Sequence, residues 1–261
     1  MNVLDNKRKE AIAEAFGKAA TNYDKHAEFQ RQVGHELLSM MPETLEGKRV
    51  LDIGCGTGYF SELLADKGAK VTAADISVEM LEQAETRCGS KVEFYQQADA
   101  ENLPFESEQF DYVFSSLALQ WCEDISEPLK ELKRVTKPGG QIYFTTLLDG
   151  SLFELKQAWA KIDTHQHVND FLTEKNIKIA LAQSEAPKHH LDLRTIKVWY
   201  SSALQLMRDL KGIGATHIND RAQGLVKKQV LINVEGEYGK YRSESGLLPA
   251  TYEVCLGAIN L

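Results

Sequence analysis

The chain has 261 residues, of which 43% are hydrophobic and 26% are charged, and its formal net charge is −8. This length and composition allow a sizeable core in one soluble domain. The negative charge argues against broad nucleic-acid binding, and no apolar run approaches the roughly 18 residues that suggest a membrane span.

The first 150 residues are predicted to form helices and then an alternating series of strands and helices. Two N-terminal helices are expected at 7–20 and 22–41, because apolar residues recur there at helical spacing. The segment KPGG, residues 137–140, is predicted to be a turn between a helix and a strand. Strands are expected at 48–54, 70–75, 92–99, 110–116 and 140–147, and helices at 59–68, 77–88 and 126–136. This alternation predicts a doubly wound, mostly parallel α/β sheet.

After residue 150 the pattern changes to longer helical stretches. Helices are predicted at 151–163, 172–183 and 201–211, strands at about 188–199 and 249–260, and a polar, helix-prone stretch up to about 245. We therefore expect one domain, residues 1–261, with seven strands in its sheet. Its parts are N-terminal helices 7–41, a sheet core of 48–150, 172–199 and 249–260, and lid insertions at about 151–170 and 200–247.

The stretch VLDIGCGTGYF, residues 50–60, places an apolar strand before a turn with three glycines. Its G-x-G-x-G spacing lacks the third glycine of the dinucleotide fingerprint and the G-K-[ST] of a P-loop. No basic residue lies in the turn, and Asp52 precedes it, where a carboxylate repels phosphate but attracts an ammonium or a sulfonium. The turn resembles motif I of the class I S-adenosylmethionine (SAM) methyltransferases, which holds the methionine end of the cofactor.

Polar residues end the next predicted strands, and ligands of open α/β sheets bind beyond the carboxyl ends of the strands. Asp75 can bind both hydroxyls of a ribose, Asp99 can accept a hydrogen bond from an adenine amino group, and Ser116 lies beside the expected methionine moiety. The set predicts SAM as cofactor and S-adenosylhomocysteine as its product. The predicted cofactor residues are Tyr23, Arg31, Asp52, Gly54, Cys55, Gly56, Gly58, Asp75, Ile76, Met80, Asp99, Ala100, Glu101, Ser116 and Leu117.

Almost the whole chain, from about residue 9 to 260, resembles the malonyl-acyl carrier protein (malonyl-ACP) O-methyltransferases of biotin synthesis, the BioC family. The most telling stretches are AIAEAFGKAATNYDKHAEFQRQ, LALQWCED, FTTLLDGSLFELKQAW and ALQLMRDLKGIGATH. The resemblance implies methyl transfer from SAM to the free carboxylate of a malonyl thioester on ACP. The methyl ester hides that charge, so that fatty-acid synthase can extend the chain towards pimelate.

The resemblance also suggests which residues contact the substrate. The segment RDLKGIGATH offers Arg208 or Lys211 to neutralise the malonyl carboxylate and His217 to hold the thioester arm. Without the resemblance, the same cations suit the C-terminal end of a helix that is capped by Gly212. A malonyl carboxylate is ionised at pH 7, so no general base is expected. The predicted substrate residues are Tyr23, Gln120, Trp121, Arg208, Lys211 and His217.

Charge is distributed unevenly along the chain. Residues 1–150 hold 16 Lys and Arg against 26 Asp and Glu, which gives −10, and residues 151–261 hold 14 against 12, which gives +2. A basic patch for an acidic carrier protein is therefore sought in the second part, at Arg221, Lys227 and Lys228. We expect a monomer with no nucleic-acid or membrane partner.

The remaining motifs are predicted to have structural roles. The pair in HQH, residues 165–167, lacks a partner at metal-ligand spacing, and the four scattered cysteines form no C-x-x-C pair, so no metal is expected. Free thiols and the absence of an apolar leader in MNVLDNKRKEAIAEAF favour the cytoplasm. KRK at 7–9 is predicted to be a solvated helix start. A SAM methyltransferase of a free acid of the aconitate type, and a SAM-binding module without turnover, are the alternatives.

Overall fold

The computed structural model describes residues 3–186, 188–215 and 228–261. The strands are β1 Arg49–Ile53, β2 Lys70–Asp75, β3 Phe94–Gln97, β4 Phe110–Ser116, β5 Thr136–Leu147, β6 Lys188–Tyr200 and β7 Leu248–Asn260. They form one seven-stranded sheet in the order β3-β2-β1-β4-β5-β7-β6. Neighbours among β1 to β5 pair in parallel, whereas β7 runs antiparallel to both β5 and β6. The predicted doubly wound, mostly parallel sheet is confirmed.

Helices cover both faces of this sheet and continue beyond it. They are α1 Val3–Ala19, α2 Glu28–Ser39, α3 Tyr59–Asp66, α4 Val78–Cys88, α5 Ser126–Val135, α6 Phe153–Ala160, α7 Glu174–Gln183, α8 Ala203–Gly212 and α9 Lys228–Tyr238. Among the described residues, no helix is both long and apolar enough to cross a membrane.

Two local predictions were wrong. The helix expected from residue 22 begins only at Glu28, because Ala20–Lys25 forms a separate 3-10 helix whose Asp24 side chain binds the glycine turn. The KPGG segment lies inside β5, which starts at Thr136. The pairing with β4 jumps from Phe110–Thr136 to Tyr112–Gln141, so 137–140 bulge out of the ladder.

A hydrophobic core joins the N-terminal and late helices to the sheet. It includes Phe29 of α2, Trp159 of α6, Leu206 of α8 and Val234 of α9, all of which are buried. Phe29 stacks on Tyr252 of β7 with ring centroids 3.9 Å apart. These helices therefore pack together beside the carboxyl ends of the strands, where ligands of such sheets bind.

The chain that follows α8 lies directly against α1. Gly214 has a φ of +78°, and a Cβ atom there would be 2.9 Å from the carbonyl oxygen of Ala15 and 3.0 Å from Cα of Phe16. Only glycine fits this conformation and this approach. The contact fixes Phe16 between the cofactor region and the late helices.

Candidate cofactor and substrate site

The glycine turn after β1 has the shape that a bound ligand requires. Gly54, Gly56 and Gly58 all have positive φ values, of 72°, 54° and 78°. A Cβ on Gly58 would lie 2.9 Å from Cα of Ala84, so this glycine lets α4 pack closely on the turn. A Cβ on Gly56 would meet nothing within 4 Å. The turn therefore presents open space at its tip, where backbone can approach a ligand.

Asp75, the last residue of β2, ties this turn to the start of α4. Its Oδ2 accepts a hydrogen bond from the Gly56 amide and its Oδ1 accepts one from the Ser77 amide, each at 2.9 Å. Ser77 in turn caps α4, because its hydroxyl accepts from the Met80 amide. Burial raises the pKa of Asp75, and the amide hydrogen bonds offset part of that rise. The carboxylate is thus held rigidly beside the turn.

Asp52 is a buried acid that suits a cationic ligand. It is 2% exposed and accepts a hydrogen bond of 2.6 Å from the Ser61 hydroxyl. Burial raises the pKa of Asp52 to about 7, and the nearby charge of Asp75 adds to the rise. A positive charge placed beside it would favour the ionised carboxylate.

Two cavities, called the first and the third, lie at the turn, and the second opens beside the first. The first lies beyond the ends of β1, β2 and β4, and Lys9, Ile12 and Phe16 of α1 cover it. Of the predicted cofactor residues, those lining the first cavity are Tyr23, Gly54, Gly56, Asp75, Ile76, Met80, Asp99, Ala100, Glu101, Ser116 and Leu117. The third cavity adds Arg31, Asp52 and Cys55. Every predicted cofactor residue except Gly58, which packs against α4, therefore lines a cavity at the turn.

Lys9 enters the first cavity, and the sequence analysis missed it. Its Nζ lies 2.6 Å from Oδ2 of Asp99 and also pairs with Glu101. Burial alone would lower the pKa of Lys9, but the hydrogen bonds and charges of the two carboxylates raise it overall. The prediction of a fully solvated KRK segment was thus wrong for Lys9. The signal was its spacing with Ile12 and Phe16, which places all three on one helical face.

The third cavity joins the glycine turn to the N-terminal segment. Arg31 donates a hydrogen bond of 2.8 Å to the backbone oxygen of Asp24, and its guanidinium lies 5.9 Å from the Tyr59 ring centroid. The Asp24 carboxylate accepts from the Thr57 hydroxyl at 2.8 Å and pairs with Arg87. Asp24 and Thr57 were not predicted, because no local pattern relates positions so far apart in the chain.

The second cavity opens beside the first, and the two share Phe16, Tyr23, Leu117 and Trp121 as lining residues. Trp121 packs edge-on against Phe16 with ring centroids 5.2 Å apart. Leu117 has a φ of 51°, a strained conformation for a residue with a branched side chain. Nε2 of Gln120 donates a hydrogen bond of 2.6 Å to the Leu117 carbonyl oxygen, which holds this conformation. The predicted residues Tyr23 and Trp121 therefore lie where the cavities join, and Gln120 lines the second cavity.

Several polar side chains also face the second cavity. The side-chain oxygens of Gln30 and Gln120 are buried without a hydrogen-bond partner among the described residues. Burial raises the pKa of the Tyr23 hydroxyl well above its usual value, so Tyr23 stays a neutral donor. His167 and Asn169 complete the polar lining. Gln30, His167 and Asn169 were not predicted.

The structure does not bring the predicted cations of α8 into a cavity. Arg208 and Lys211 are exposed, whereas Leu210 and Ile213 line the second cavity. The apolar positions of α8 face inward at helical spacing, which turns the two cations to the outside. His217, Arg221 and Lys227 lie outside the described residues.

Comparison with known proteins decides the family. A Methyltransferase domain family matches residues 51–144. The chain is 40% identical over 259 residues to the malonyl-ACP O-methyltransferase of Salmonella typhimurium, covering 96% of this chain and 97% of that protein. Its relative from Pectobacterium atrosepticum, of the same name, is 42% identical, with 98% of both chains covered. The chain belongs to the malonyl-ACP O-methyltransferase family.

Membership of this family makes the protein a methyltransferase that uses SAM as its methyl donor, as predicted. The same family sequence occurs inside a longer protein. The biotin biosynthesis bifunctional protein BioHC of Cellvibrio japonicus is 42% identical over 252 residues, but the chain spans only 49% of its length.

Solved methyltransferase structures share the fold. A putative methyltransferase from Bacillus halodurans superposes with a TM-score of 0.60 at 18% identity, covering 87% of this chain and 97% of that one. A SAM-dependent methyltransferase from Mesorhizobium loti gives 0.52 at 19% identity, covering 86% and 96%.

The described residues fit SAM. The open tip at Gly56 leaves room for the ligand beside the backbone, and Asp75 lies at the same turn. The buried Asp52 supplies the negative charge that suits the cationic end of this methyltransferase's cofactor.

Proposed function

We propose that this protein transfers a methyl group from SAM to the free carboxylate of a malonyl thioester carried by acyl carrier protein. The observation that carries the proposal is the junction of the first and second cavities at Tyr23, Leu117 and Trp121. A substrate in the second cavity would meet the cofactor there. The names of the relatives from Salmonella typhimurium and Pectobacterium atrosepticum support malonyl-ACP as that substrate.

Separate side chains would hold each part of the cofactor. Asp75 would bind the ribose hydroxyls, and Asp99 would accept a hydrogen bond from the adenine amino group. Asp52 and Arg31, which line the third cavity, would bind the ammonium and carboxylate groups of the methionine end. SAM would supply an electrophilic methyl group on a positively charged sulfur.

The protein has little proton chemistry to perform. The malonyl carboxylate is already ionised at neutral pH, so its oxygen can attack without a general base. The work of the site is to align that oxygen with the methyl group and to exclude water. The apolar lining of the second cavity, which includes Phe29, Leu147, Leu152 and Phe171, suits both tasks.

The N-terminal and late helices would close this site. We propose that α1, with the described parts of the segments at about 151–170 and 200–247, acts as a lid over the carboxyl ends of the strands. Phe16 of α1, Val168 of the α6–α7 loop and Ile213 after α8 all line the second cavity, which supports this role. An acyl carrier protein would then deliver the thioester arm to the outer surface of the lid.

A substrate comparison tests the proposal. The purified protein is incubated with SAM and, separately, malonyl-ACP, malonyl-CoA, free malonate and aconitate, and methyl esters are detected by mass spectrometry. We expect the highest kcat/KM with malonyl-ACP.

Two results would contradict the proposal. Methylation of a free acid but of neither malonyl thioester would identify a small-acid methyltransferase. SAM binding by calorimetry without turnover of any acid would identify a binding module.

A further inference from the structure

A histidine paired with an aspartate lies at the second cavity, in the loop between α6 and α7. Nε2 of His167 is 2.9 Å from Oδ1 and 3.1 Å from Oδ2 of Asp163. The imidazole also stacks on the indole of Trp159, with ring centroids 3.6 Å apart and an interplanar angle of 10°. Trp159 is buried and the His167 side chain is only 13% exposed. The ring is therefore held on one face and at one nitrogen.

The pairing with Asp163 determines what the second ring nitrogen can do. A hydrogen on Nε2 is directed to the carboxylate, and the contact becomes an ion pair when the imidazole takes up a proton. Burial alone would raise the pKa of Asp163. The hydrogen bonds that its carboxylate accepts from the His167 side chain and the His165 backbone amide lower this pKa overall, so the carboxylate stays ionised. Nδ1 of His167 has no partner within the described ranges and would be a donor in the protonated ring.

The rest of the cavity lining makes this histidine distinctive. Among the described residues that line the second cavity, His167 is the only one whose side chain can carry a positive charge. The other titratable side chains there are the tyrosines Tyr23 and Tyr252, and burial raises the pKa of both. The inner face of α8 contributes only Leu210, with Ile213 and Ala215 after it. A carboxylate that enters this apolar space needs a cationic partner, because an unpaired buried charge is costly.

We infer that His167, oriented by Asp163, is the cation that binds the carboxylate of the substrate and distinguishes it from the methyl ester. This inference rests on the proposed function and replaces the role that the sequence suggested for Arg208 or Lys211. It concerns a substrate-binding residue, since no proton is transferred. The new C–O bond forms as the methyl–sulfur bond breaks, and the bonding electrons stay on sulfur.

The dyad explains two requirements of the reaction. In the inferred complex Asp163 would share the charge of the imidazolium, so the substrate carboxylate would be held by an incomplete ion pair and its oxygen would keep its nucleophilicity. Once methylated, the group is neutral and loses its attraction to the ring, which favours release of the ester over the acid.

The test compares a charged ligand with its neutral methyl ester, which is larger by one methyl group, in His167→Gln. We measure KM and kcat for malonyl-ACP, the inhibition constant of the malonyl methyl ester product on the same carrier, and SAM affinity by calorimetry. His167→Gln should raise KM for the acid by about tenfold or more, the effect expected when a charged partner is lost. The inhibition constant of the ester and the SAM affinity should each stay within about twofold.

The same loop offers a matched control and a second variant. His165 is exposed and its side chain makes no hydrogen bond within the described part of the chain, so His165→Gln should behave as the wild type. Asp163→Asn, at a partly exposed position, removes the carboxylate that orients the ring and stabilises its positive charge. This variant should therefore also raise KM for the acid, and it tests the inference even if His167→Gln fails to fold.

The outcomes separate this inference from the proposed function. Wild-type protein that methylates no malonyl thioester would overturn both. Active wild-type protein whose His167→Gln variant weakens acid and ester equally would show that the histidine only shapes the cavity. Unchanged KM in both His167→Gln and Asp163→Asn would exclude the dyad as the carboxylate site.

Discussion

At the scale of single residues, the site depends on two buried acids at the ends of adjacent strands. Asp52 on β1 and Asp75 on β2 are 2% and 7% exposed, and burial raises the pKa of both. Asp75 is stabilised by backbone amides of Gly56 and Ser77, whereas Asp52 has the Ser61 hydroxyl. Asp52 is therefore the acid whose charge depends most on what binds beside it.

We predict that SAM affinity depends on pH through Asp52. Its pKa of about 7 in the free protein leaves most of the carboxyl protonated at pH 6, while a cationic ligand prefers the ionised form. The association constant should therefore rise with pH, by about tenfold between pH 6 and pH 8, and level off above the pKa. Calorimetric titrations across this range measure it.

The matched variant is Asp52→Asn, which keeps the size of the side chain but cannot ionise. Its SAM affinity should be weaker at pH 8 and nearly independent of pH. If the variant retains the wild-type slope, the titrating group is Asp75 or the ligand itself.

At the scale of elements, α1 determines access to the first cavity. Ile12 and Phe16 lie over the cavity, and Lys9 joins the helix to Asp99 and Glu101 beyond β3. Gly214 packs the chain after α8 against Ala15 and Phe16 of the same helix. We therefore expect a ligand that leaves the first cavity to displace α1 and to break the ion pairs of Lys9.

We predict that Lys9→Met speeds SAM dissociation by about tenfold, since it removes charge-assisted hydrogen bonds that hold the helix down. The indole of Trp121 lines the same cavity, so stopped-flow tryptophan fluorescence can follow displacement. The increase should be smaller at high salt, because salt weakens the wild-type pairs.

Lys18→Met is the control on the same helix. Lys18 is 73% exposed and pairs only with Glu14, one turn away. Its dissociation rate should match the wild type. Slower dissociation in Lys9→Met would mean that Lys9 competes with the ligand for Asp99.

At the scale of the whole molecule, the part of the chain that supplies the predicted cofactor residues differs in net charge from the part that follows it. Residues 1–150 carry −10 and residues 151–261 carry +2. The inner face of α8 lines the second cavity, while Arg208 and Lys211 on its outer face are exposed. An acidic carrier protein would meet the least acidic part of the surface there.

We predict that the double variant Arg208→Glu with Lys211→Glu raises KM for malonyl-ACP by about tenfold, chiefly through slower association. Turnover of malonyl-pantetheine, which presents the thioester without a protein, should change by less than about twofold. Steady-state kinetics at low and high salt measure both.

Lys70→Glu provides the control. This exposed lysine begins β2, at the end of the sheet opposite the carboxyl ends of the parallel strands. It should leave both substrates unaffected. Equal losses on malonyl-ACP and malonyl-pantetheine in the double variant would show that Arg208 and Lys211 support the lid and do not contact a carrier protein.

The sequence by itself was enough to predict the sheet and to predict that the proposed cofactor residues lie together at one end of it. Alternation of strands and helices allows few topologies, and parallel strands bring their carboxyl ends to one edge. Asp75, Asp99 and Ser116 could therefore be placed together without knowing any contact between them. The turn lacks the third glycine of the dinucleotide fingerprint, and Gly58 instead allows the close packing of α4, through Ala84, against the turn.

Only the tertiary structure decided which residues line the second cavity. The second cavity is built from α1, the 3-10 helix, the α6–α7 loop, α8 and β7, which are far apart in the chain. Sequence spacing says which residues share a helix but not which face is turned inward. The cations of α8 therefore looked like ligands and are exposed, while Lys9 looked unremarkable and lies at the first cavity, because packing of the apolar faces fixes each helix's rotation. His167 lines the second cavity from the α6–α7 loop, whose path no helical pattern predicts.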